Sequence, residues 1–203
     1  MVVIVLTTTV FVQNKCYLFQ TDPLERLNTY KKNINLWLSL TNFKIILVEN
    51  SGYSFNEFES NDRFEVISFN EETLPEASYL KGNNSKGASE LFAINYALEK
   101  TKFKYSFIIK ITGRYFIPDF ENYILSFDLN NYDALIQNSG MNCEIVGSHF
   151  NFKNMVFNKN TNINHIEFLY KERIDKLNKI VVIKQLKINP TQIGGLNEIR
   201  YFL

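Results

Sequence analysis

The chain has 203 residues, a formal net charge of +1, a hydrophobic content of 45% and an aromatic content of 15%. This length suits one domain with a sizeable core, and the composition excludes a disordered chain. A net charge so close to zero argues against a general basic surface for nucleic acid or anionic lipid.

Two features of the sequence bear on its compartment. Cys16 and Cys143 are its only cysteines and lie far apart, which favours free thiols in a reducing compartment. The first residues, MVVIVLTTTVFV, are apolar but short and lack a basic leader, so we interpret them as a buried strand. The sequence therefore predicts a cytoplasmic protein without a membrane span.

Strands and helices alternate over the first half of the chain. A near-continuous β-branched run at 2–9 predicts a central parallel strand that is covered on both faces. A helix follows, in which Asp22 can cap the first turn, Pro23 suits that turn and Glu25 completes a capping box. Three further strands are predicted at 43–48, 64–69 and 105–111, and a second long helix is predicted at 85–100. This order favours a right-handed, mostly parallel sheet.

The second half of the chain is less regular. The predicted elements are a short helix at 118–127, strands at 132–138 and 143–150, a helix at 162–178 and a last strand at 179–186. Two strands so close in sequence suggest an antiparallel pair within a mixed sheet. No Pro- or Gly-rich boundary interrupts the pattern, so we expect one α/β domain over residues 1–203.

Polar segments stand at the predicted carboxyl ends of three strands and at a helix start. They are TTT at 7–9, ENSG at 49–52, TGRY at 112–115 and NNSKGASE at 83–90. Ligands bind at this edge of parallel sheets. No zinc-ligand cluster, Ser-His-acid pattern, dinucleotide motif or Walker loop is visible. The cations Lys86, Lys110 and Arg114 remain, and cations beside a helix start suit a phosphorylated ligand.

These segments resemble motifs of nucleotide-sugar transferases of the GT-A fold. LVENSG resembles the VDDGS turn that ends their second strand, and NNSKGASELFAINYAL resembles their N-x-G-x-x-x-A-x-N-x-G helix start. YSFIIKITGRYFIPDF is similar to their Y-I-x-x-L-D-x-D-D-x-x-x-P-x-x-L segment. Over nearly the whole chain, LTTTVFV, TDPLERLNTY, VENSGY, SKGASE, KITGRY and PTQ-GG-N resemble the N-terminal glycosyltransferase domain of a large chlorovirus protein that builds capsid glycans.

The resemblance implies a glycosyltransferase that moves a sugar from a nucleoside diphosphate, with a UDP-sugar expected as donor, to a hydroxyl of a glycan acceptor. For a viral protein the compartment would be the host cytoplasm. Residues 1–117 would form the nucleotide-binding half and residues 118–203 the acceptor-side half. The resemblance places donor-binding residues at the strand ends and the helix start. These are Thr7, Thr8, Thr9, Glu49, Asn50, Lys86, Gly87, Ser89, Thr112, Gly113 and Arg114.

Most of these residues also have a purely structural interpretation. The threonines at 7–9 would lie against base and ribose, or they simply favour a strand. Glu49 can accept a hydrogen bond from uracil or a ribose hydroxyl, or it is a solvated turn residue. Lys86 can reach the phosphates or the base, or it is an ordinary exposed lysine. Gly87 can let a ligand approach the backbone, and Ser89 can instead cap the helix.

Thr112, Gly113 and Arg114 fall on the D-x-D motif whose carboxylates hold Mn²⁺ or Mg²⁺ in the resembling family. Neither acid is present, and Arg114 stands at the position of the second one. Its fork-shaped guanidinium can bind phosphate oxygens directly, which leaves a divalent-metal requirement open. Alternatively, Arg114 pairs with Asp119 or Glu121 and closes the loop.

The catalytic base has several candidates in the second half of the chain. They are Glu144, His149, His165 and Glu167. Glu167 opens a predicted helix, near where related transferases often carry a base, although an acid there also suits the helix dipole. His149 follows a predicted strand and can line the acceptor cleft, or it is a polar loop residue.

Two further features stay open. The segment QIGGLN at 192–197 can fold back as a Gly-rich flap or form a plain turn. Two other function classes are also open: a different nucleotide-dependent transferase, such as a nucleotidyltransferase, and a non-catalytic carbohydrate- or partner-binding domain.

Overall fold

The centre of the protein is a mixed β-sheet, seen in a computed structural model that describes residues 1–13, 15, 18–137, 142–159 and 165–203. Within these residues the sheet has seven strands: β1 (Val2–Thr8), β2 (Lys44–Glu49), β3 (Phe64–Ser68), β4 (Phe107–Thr112), β5 (Ala134–Gln137), β6 (Ile145–His149) and β7 (Ile180–Ile183). Their order is β3-β2-β1-β4-β6-β5-β7. β6 runs antiparallel to β4 and β5, and the other neighbours pair in parallel. The predicted mixed, mostly parallel sheet is confirmed.

Helices flank this sheet, and all of the long ones lie where the sequence predicts them, whereas the short helix at Lys153–Val156 is not predicted. They are α1 (Pro23–Leu40), α2 (Lys86–Lys100), α3 (Phe120–Leu125), α4 (Lys153–Val156) and α5 (Ile166–Ile174), with short 3-10 turns at Pro75–Leu80, Leu129–Asn131 and Phe150–Phe152. The predicted cap of α1 is confirmed, because Asp22 Oδ1 accepts a hydrogen bond from the Glu25 amide at 2.9 Å. Position 138 of the predicted strand 132–138 and positions 162–164 of the predicted helix 162–178 lie outside the described residues.

Apolar layers cover both faces of β1. Ile4 and Leu6 pack with the α1 side chains of the first core, whereas Val3 and Val5 pack with α2 in the second core. These four side chains have no exposed surface. Alternating side chains of one strand therefore enter two cores, which explains why the β1 sequence is a continuous apolar run rather than an alternating one.

The C-terminal residues form a separate hairpin that the sequence does not predict. It consists of β8 (Lys187–Gln192) and β9 (Ile199–Phe202), which pair antiparallel. The loop between them contains the Gly-rich QIGGLN segment, and the Gly194 carbonyl accepts a hydrogen bond from the Phe19 amide at 2.8 Å. The loop is thereby bonded to the segment that follows β1, which favours folding back over the alternative of a plain turn.

Two sequence features that bear on the compartment, the membrane span and the cysteines, can be compared with the structure. Within the described residues, none of the helices combines the length and the apolar character that crossing a membrane requires. Cys143 is a free cysteine, and Cys16 lies outside the described residues.

Trp37 of α1 joins the helix to the chain that leaves β4, and this predicts a stability effect. Its Nε1 donates to the Tyr115 carbonyl at 2.9 Å, and its ring has no exposed surface. Trp37→Phe leaves that buried carbonyl without its donor, so we expect the free energy of unfolding to fall by about 1–3 kcal/mol. Urea denaturation measures it. Leu40→Ala, at a 62% exposed position of the same helix, serves as control and should change stability by less than about 0.5 kcal/mol. Equal losses in both variants would contradict this role of Trp37.

Candidate functional site

A cleft of about 450 Å³ opens at the edge of the sheet where β1, β2 and β4 end. The parallel register brings Thr8 opposite Glu49 and Thr7 opposite Thr112, so the three strand ends meet at one place. The starts of α2 and α5 and the loop between β8 and β9 complete the walls. The predicted site residues that line the cleft are Thr7, Thr8, Thr9, Asn50, Lys86, Gly87, Ser89, Thr112, Arg114 and Glu167.

Two predicted glycines have packing roles. Gly113 donates its amide to the Thr7 carbonyl at 2.9 Å, and a Cβ there would lie 2.7 Å from Thr8 Cγ2. Gly113 therefore lets the end of β4 touch the end of β1. A Cβ on Gly87 would lie 2.6 Å from Ile166 Cβ, so this glycine lets α2 approach α5. The side of Gly87 on which we expected a ligand to approach the backbone is occupied by Ile166 of α5.

Glu49 holds a turn together instead of facing the cleft. Its carboxylate has no exposed surface and accepts hydrogen bonds from the amides of Val10 at 3.0 Å and of Ser51 and Tyr53 at 2.9 Å each, and from the Ser51 hydroxyl. Burial raises the pKa of Glu49, and these hydrogen bonds oppose the rise. The prediction that Glu49 contacts the nucleotide loses its geometric support, because all these donors already occupy the carboxylate. Asn50 is the residue of this turn that lines the cleft.

The threonine and serine hydroxyls of the cleft are bonded within the protein. Thr8 Oγ1 donates to the Val48 carbonyl at 3.0 Å, and Thr9 Oγ1 donates to Asn50 Oδ1 at 2.7 Å. Ser89 Oγ donates to Glu71 Oε1 at 2.8 Å. These contacts fit the structural interpretation of the three hydroxyls, whose residues line the cleft but whose hydrogen atoms are bonded within the protein.

Glu71, which the sequence does not single out, ties four segments around the cleft together. It is 6% exposed and accepts hydrogen bonds from Lys15 Nζ at 2.9 Å, Ser89 Oγ at 2.8 Å and Asn50 Nδ2 at 3.1 Å. Lys15 Nζ also donates to the Asn83 carbonyl at 2.9 Å. A carboxylate that follows a predicted strand is a weak signal in sequence, because the same position is common for solvated loop acids.

Arg114 lies in the cleft and is only 8% exposed. Its Nη1 donates to Gln20 Oε1 at 3.4 Å, and a Cβ added to Gly194 would lie 2.4 Å from both Nη atoms. The backbone of the Gly-rich loop therefore packs directly against the guanidinium. Among the residues that the structure describes, Arg114 forms no ion pair. The alternative pairing with Glu121 is wrong, because Glu121 accepts hydrogen bonds from the Asn42 amide at 3.0 and 3.1 Å.

Arg114 belongs to a group of three cations that line the cleft with Lys86 and Arg26. Arg26, unpredicted from the sequence, donates to the carbonyls of Thr9 at 2.7 Å and Gln20 at 3.0 Å. Burial lowers the pKa of Arg26, and the charge of Arg114 acts in the same direction although Tyr30 opposes it. Lys86 is exposed at the rim of the cleft, and partial burial, followed by the charge of Arg114, lowers its pKa. The three cations are thus close enough to repel one another, which favours an anionic ligand between them.

Lys110, in contrast, is neutralised within the protein. It is 1% exposed, and its Nζ lies 2.7 Å from Glu90 Oε1 and donates to the Cys143 carbonyl at 2.7 Å. Thr7 Oγ1 donates to the same Glu90 oxygen at 2.9 Å. Burial by itself would lower the pKa of Lys110, but the charge of Glu90, the hydrogen bond to it and the other acidic groups nearby together outweigh burial, and the net pKa is raised. Lys110 therefore connects β4 to α2 and is not available to a ligand.

The direction of β6 decides which candidate bases lie in the cleft. His149 pairs with Phe107, the first residue of β4, so it lies at the sheet edge opposite the cleft, where its Nδ1 accepts from the Asn151 amide at 3.3 Å. The prediction that His149 lines the acceptor cleft is therefore wrong. The same antiparallel direction brings Cys143 and Glu144, which precede β6, into the cleft. Glu167 joins them, because its Oε1 accepts from Cys143 Sγ at 3.5 Å.

Comparison with known proteins identifies the fold. No protein-family model and no curated protein matches the sequence. Among solved structures, the chain is similar to a protein described as a nucleotide-diphospho-sugar transferase from Desulfovibrio desulfuricans, with a TM-score of 0.51 and 14% identity over 90% of this chain and 79% of that chain. The chain has a GT-A-like fold.

Two weaker likenesses accompany this one. An active-site mutant of LgtC gives a TM-score of 0.46 and 8% identity over 90% of this chain and 72% of that chain. A 4-diphosphocytidyl-2C-methyl-D-erythritol synthase from Anaerococcus prevotii gives a TM-score of 0.46 and 10% identity over 97% of this chain and 92% of that chain.

The buried pair of Lys110 and Glu90 predicts a non-additive mutational effect. Glu90→Gln leaves the Lys110 ammonium buried without its counter-ion, so we expect a loss of about 3–5 kcal/mol in the free energy of unfolding. Adding Lys110→Met should recover much of that loss, because no buried charge remains. Chemical denaturation of the single and double variants measures both effects, with Glu99→Gln, at an exposed position of α2, as control. A double variant less stable than Glu90→Gln would refute the pairing argument.

Proposed function

We propose that the protein is a glycosyltransferase that binds a nucleoside-diphosphate sugar, with UDP as the nucleotide, and transfers the sugar to a hydroxyl of a glycan. The observation that carries the proposal is the position of Arg114. Its guanidinium lies in a cleft at the carboxyl ends of parallel strands, the edge where sheets of this kind bind their ligands. The GT-A-like fold supports the same ligand class, and the likeness to a chlorovirus glycosyltransferase domain rests on the sequence motifs.

The cations supply the chemistry that a diphosphate needs. A guanidinium can give two parallel hydrogen bonds to phosphate oxygens, and it remains charged at any physiological pH. Lys86 is the first residue of α2, so phosphate oxygens beside it would also meet the amides of the helix start. An anion bound there removes the repulsion among Arg114, Arg26 and Lys86, and it stabilises the negative charge that develops on the leaving diphosphate.

The residues at the strand end do not fit a divalent metal. Thr112, Gly113 and Arg114 stand where the resembling family carries its metal-binding acids. In the described part of the chain, no group of three or more His, Cys, Asp or Glu side chains is arranged to hold an ion. We therefore assign the contact with the diphosphate to Arg114 and Lys86.

Glu167 is our candidate for the group that takes the proton of the acceptor hydroxyl. It lies in the first turn of α5 and lines the cleft, next to the Cys143 thiol. Burial raises the pKa of that thiol well above its ordinary value, so Cys143 stays protonated and donates to the carboxylate. A carboxylate within reach of the acceptor is the requirement for general-base catalysis.

Arg114 provides the test of the proposed function. Arg114→Ala and Arg114→Lys should both weaken UDP binding roughly tenfold or more, because one charge-assisted contact is worth about 1.5–3 kcal/mol and an ammonium lacks the planar fork. Isothermal titration calorimetry in EDTA measures the affinities, and Mn²⁺ should leave them unchanged. Wild-type binding and sugar transfer that vanish in EDTA and return with Mn²⁺ would contradict the assignment of the diphosphate to Arg114.

Lys86 should act on the phosphates and not on the nucleoside. Lys86→Ala is expected to weaken UDP binding roughly three- to tenfold, because a charge-assisted contact is lost at a rim position, and to leave uridine binding unchanged. Lys81→Ala is the matched control, since Lys81 is also exposed but does not line the cleft. Equal effects on UDP and uridine would instead place Lys86 at the base.

A further inference from the structure

Glu144 carries a buried oxygen that the described protein does not use. Its Oε1 forms an ion pair with Arg200 Nη1, and its side chain is 18% exposed. Its Oε2 is buried and has no hydrogen-bond partner among the described residues. Leaving a buried carboxylate oxygen without a donor is costly, so such an atom at a binding site is a candidate contact for a ligand.

The position of Glu144 favours the sugar part of the substrate over the nucleotide. Its carbonyl accepts from the Thr112 amide at 3.0 Å, so it stands beside the end of β4 on the side of β6. The loops after β1 and β2, which carry Thr9 and Asn50, lie on the other side of β4 in the strand order. Arg114 follows the end of β4 by two residues, so a diphosphate bound there would place its sugar towards Glu144.

Tyr115 supports the closeness of Glu144 to Arg114. Burial raises the pKa of Tyr115, the charge of Arg114 lowers it, and the charges of Glu144 and Arg200 act in opposite directions on the same hydroxyl. The charges of Arg114, Glu144 and Arg200 therefore all act on the Tyr115 hydroxyl. All four residues also line the same cleft.

We propose that Glu144 is a sugar-positioning residue whose Oε2 accepts a hydrogen bond from a sugar hydroxyl, while Arg200 fixes the carboxylate through Oε1. The inference rests on the proposed function, because it takes the substrate of this cleft to be a sugar. An ionised carboxylate only accepts hydrogen bonds, and a hydroxyl is the donor that sugars offer in number. The hydroxyl belongs either to the sugar of the donor or to the acceptor.

A purely structural role for the pair makes a different prediction. Arg200 belongs to β9, and the loop of the same hairpin packs against the Arg114 guanidinium through Gly194. If Glu144 served only to anchor the hairpin, Glu144→Gln would lower the thermal stability and the UDP affinity together. A positioning role instead leaves UDP affinity intact and removes the selective gain from the sugar.

The experiment compares the wild type with Glu144→Gln by calorimetry in EDTA. The probes are UDP, then UDP-glucose, UDP-galactose, UDP-N-acetylglucosamine and UDP-xylose, and finally the corresponding methyl glycosides in the presence of UDP. Glu198→Gln is the matched control, since Glu198 is an exposed acid of the same hairpin that does not line the cleft. Arg200→Lys, which keeps the positive charge, is the second variant in case Glu144→Gln does not fold.

We expect Glu144→Gln to bind UDP as the wild type does and to bind the preferred sugar roughly tenfold or more weakly. A loss with a UDP-sugar identifies a hydroxyl of the donor, whereas a loss with a methyl glycoside identifies one of the acceptor. Arg200→Lys should show a smaller loss with the same probe. Sugar affinities equal in wild type and Glu144→Gln, or a wild type that binds UDP but none of the sugars, would overturn the inference and leave nucleotide binding standing. A wild type that does not bind UDP would overturn the proposed function as well.

Discussion

The register in which β1 pairs with its two parallel neighbours sets the position of the cleft residues that the strands supply. Thr7 stands opposite Thr112 and Thr8 opposite Glu49, and the Gly113 amide bonds the Thr7 carbonyl at 2.9 Å. A slip of one residue would turn every side chain of β1 to the opposite face of the sheet. Packing against the two apolar layers therefore stabilises this register over its neighbours. Arg114 follows β4 by two residues, so the register of β4 also determines where Arg114 lies in the cleft.

The cations of the cleft differ in whether their partners are charged or neutral. Lys110 is buried beside Glu90, and the pair connects a strand to a helix. Arg26 and Arg114 are held by neutral groups, namely backbone carbonyls, the Gln20 side chain and the Gly194 backbone. Cations fixed by neutral partners keep their charge for a ligand and need little reorganisation when an anion arrives, which is the arrangement that stabilises a leaving diphosphate.

Most of the elements, the cap of α1 and most strand-end residues could be predicted from the sequence, because apolar periodicity and capping patterns are local properties. The sequence also indicates that β5 and β6 pair antiparallel, but not that β6 is the strand that runs against β4, since that depends on tertiary pairing. That one direction places His149 at the far edge and brings Glu144 into the cleft. Glu49 was predicted as a nucleotide contact, and its role in the turn escaped prediction for another reason. A carboxylate before Asn-Ser-Gly can turn back onto nearby amides, and sequence does not distinguish that from a solvated acid. The β8–β9 hairpin lacks strong strand patterning, so Arg200 was also missed.

A crystal structure of the protein with UDP, grown in EDTA, tests the central claim most directly. The account predicts that the diphosphate lies in the cleft within hydrogen-bonding distance of the Arg114 guanidinium, with Lys86 beside it and no metal ion between protein and phosphate. The uridine would extend towards Thr9 and Asn50, and the β-phosphate would point towards Glu144. A diphosphate bound elsewhere, or one that binds only through a divalent cation held by carboxylates, would contradict the account.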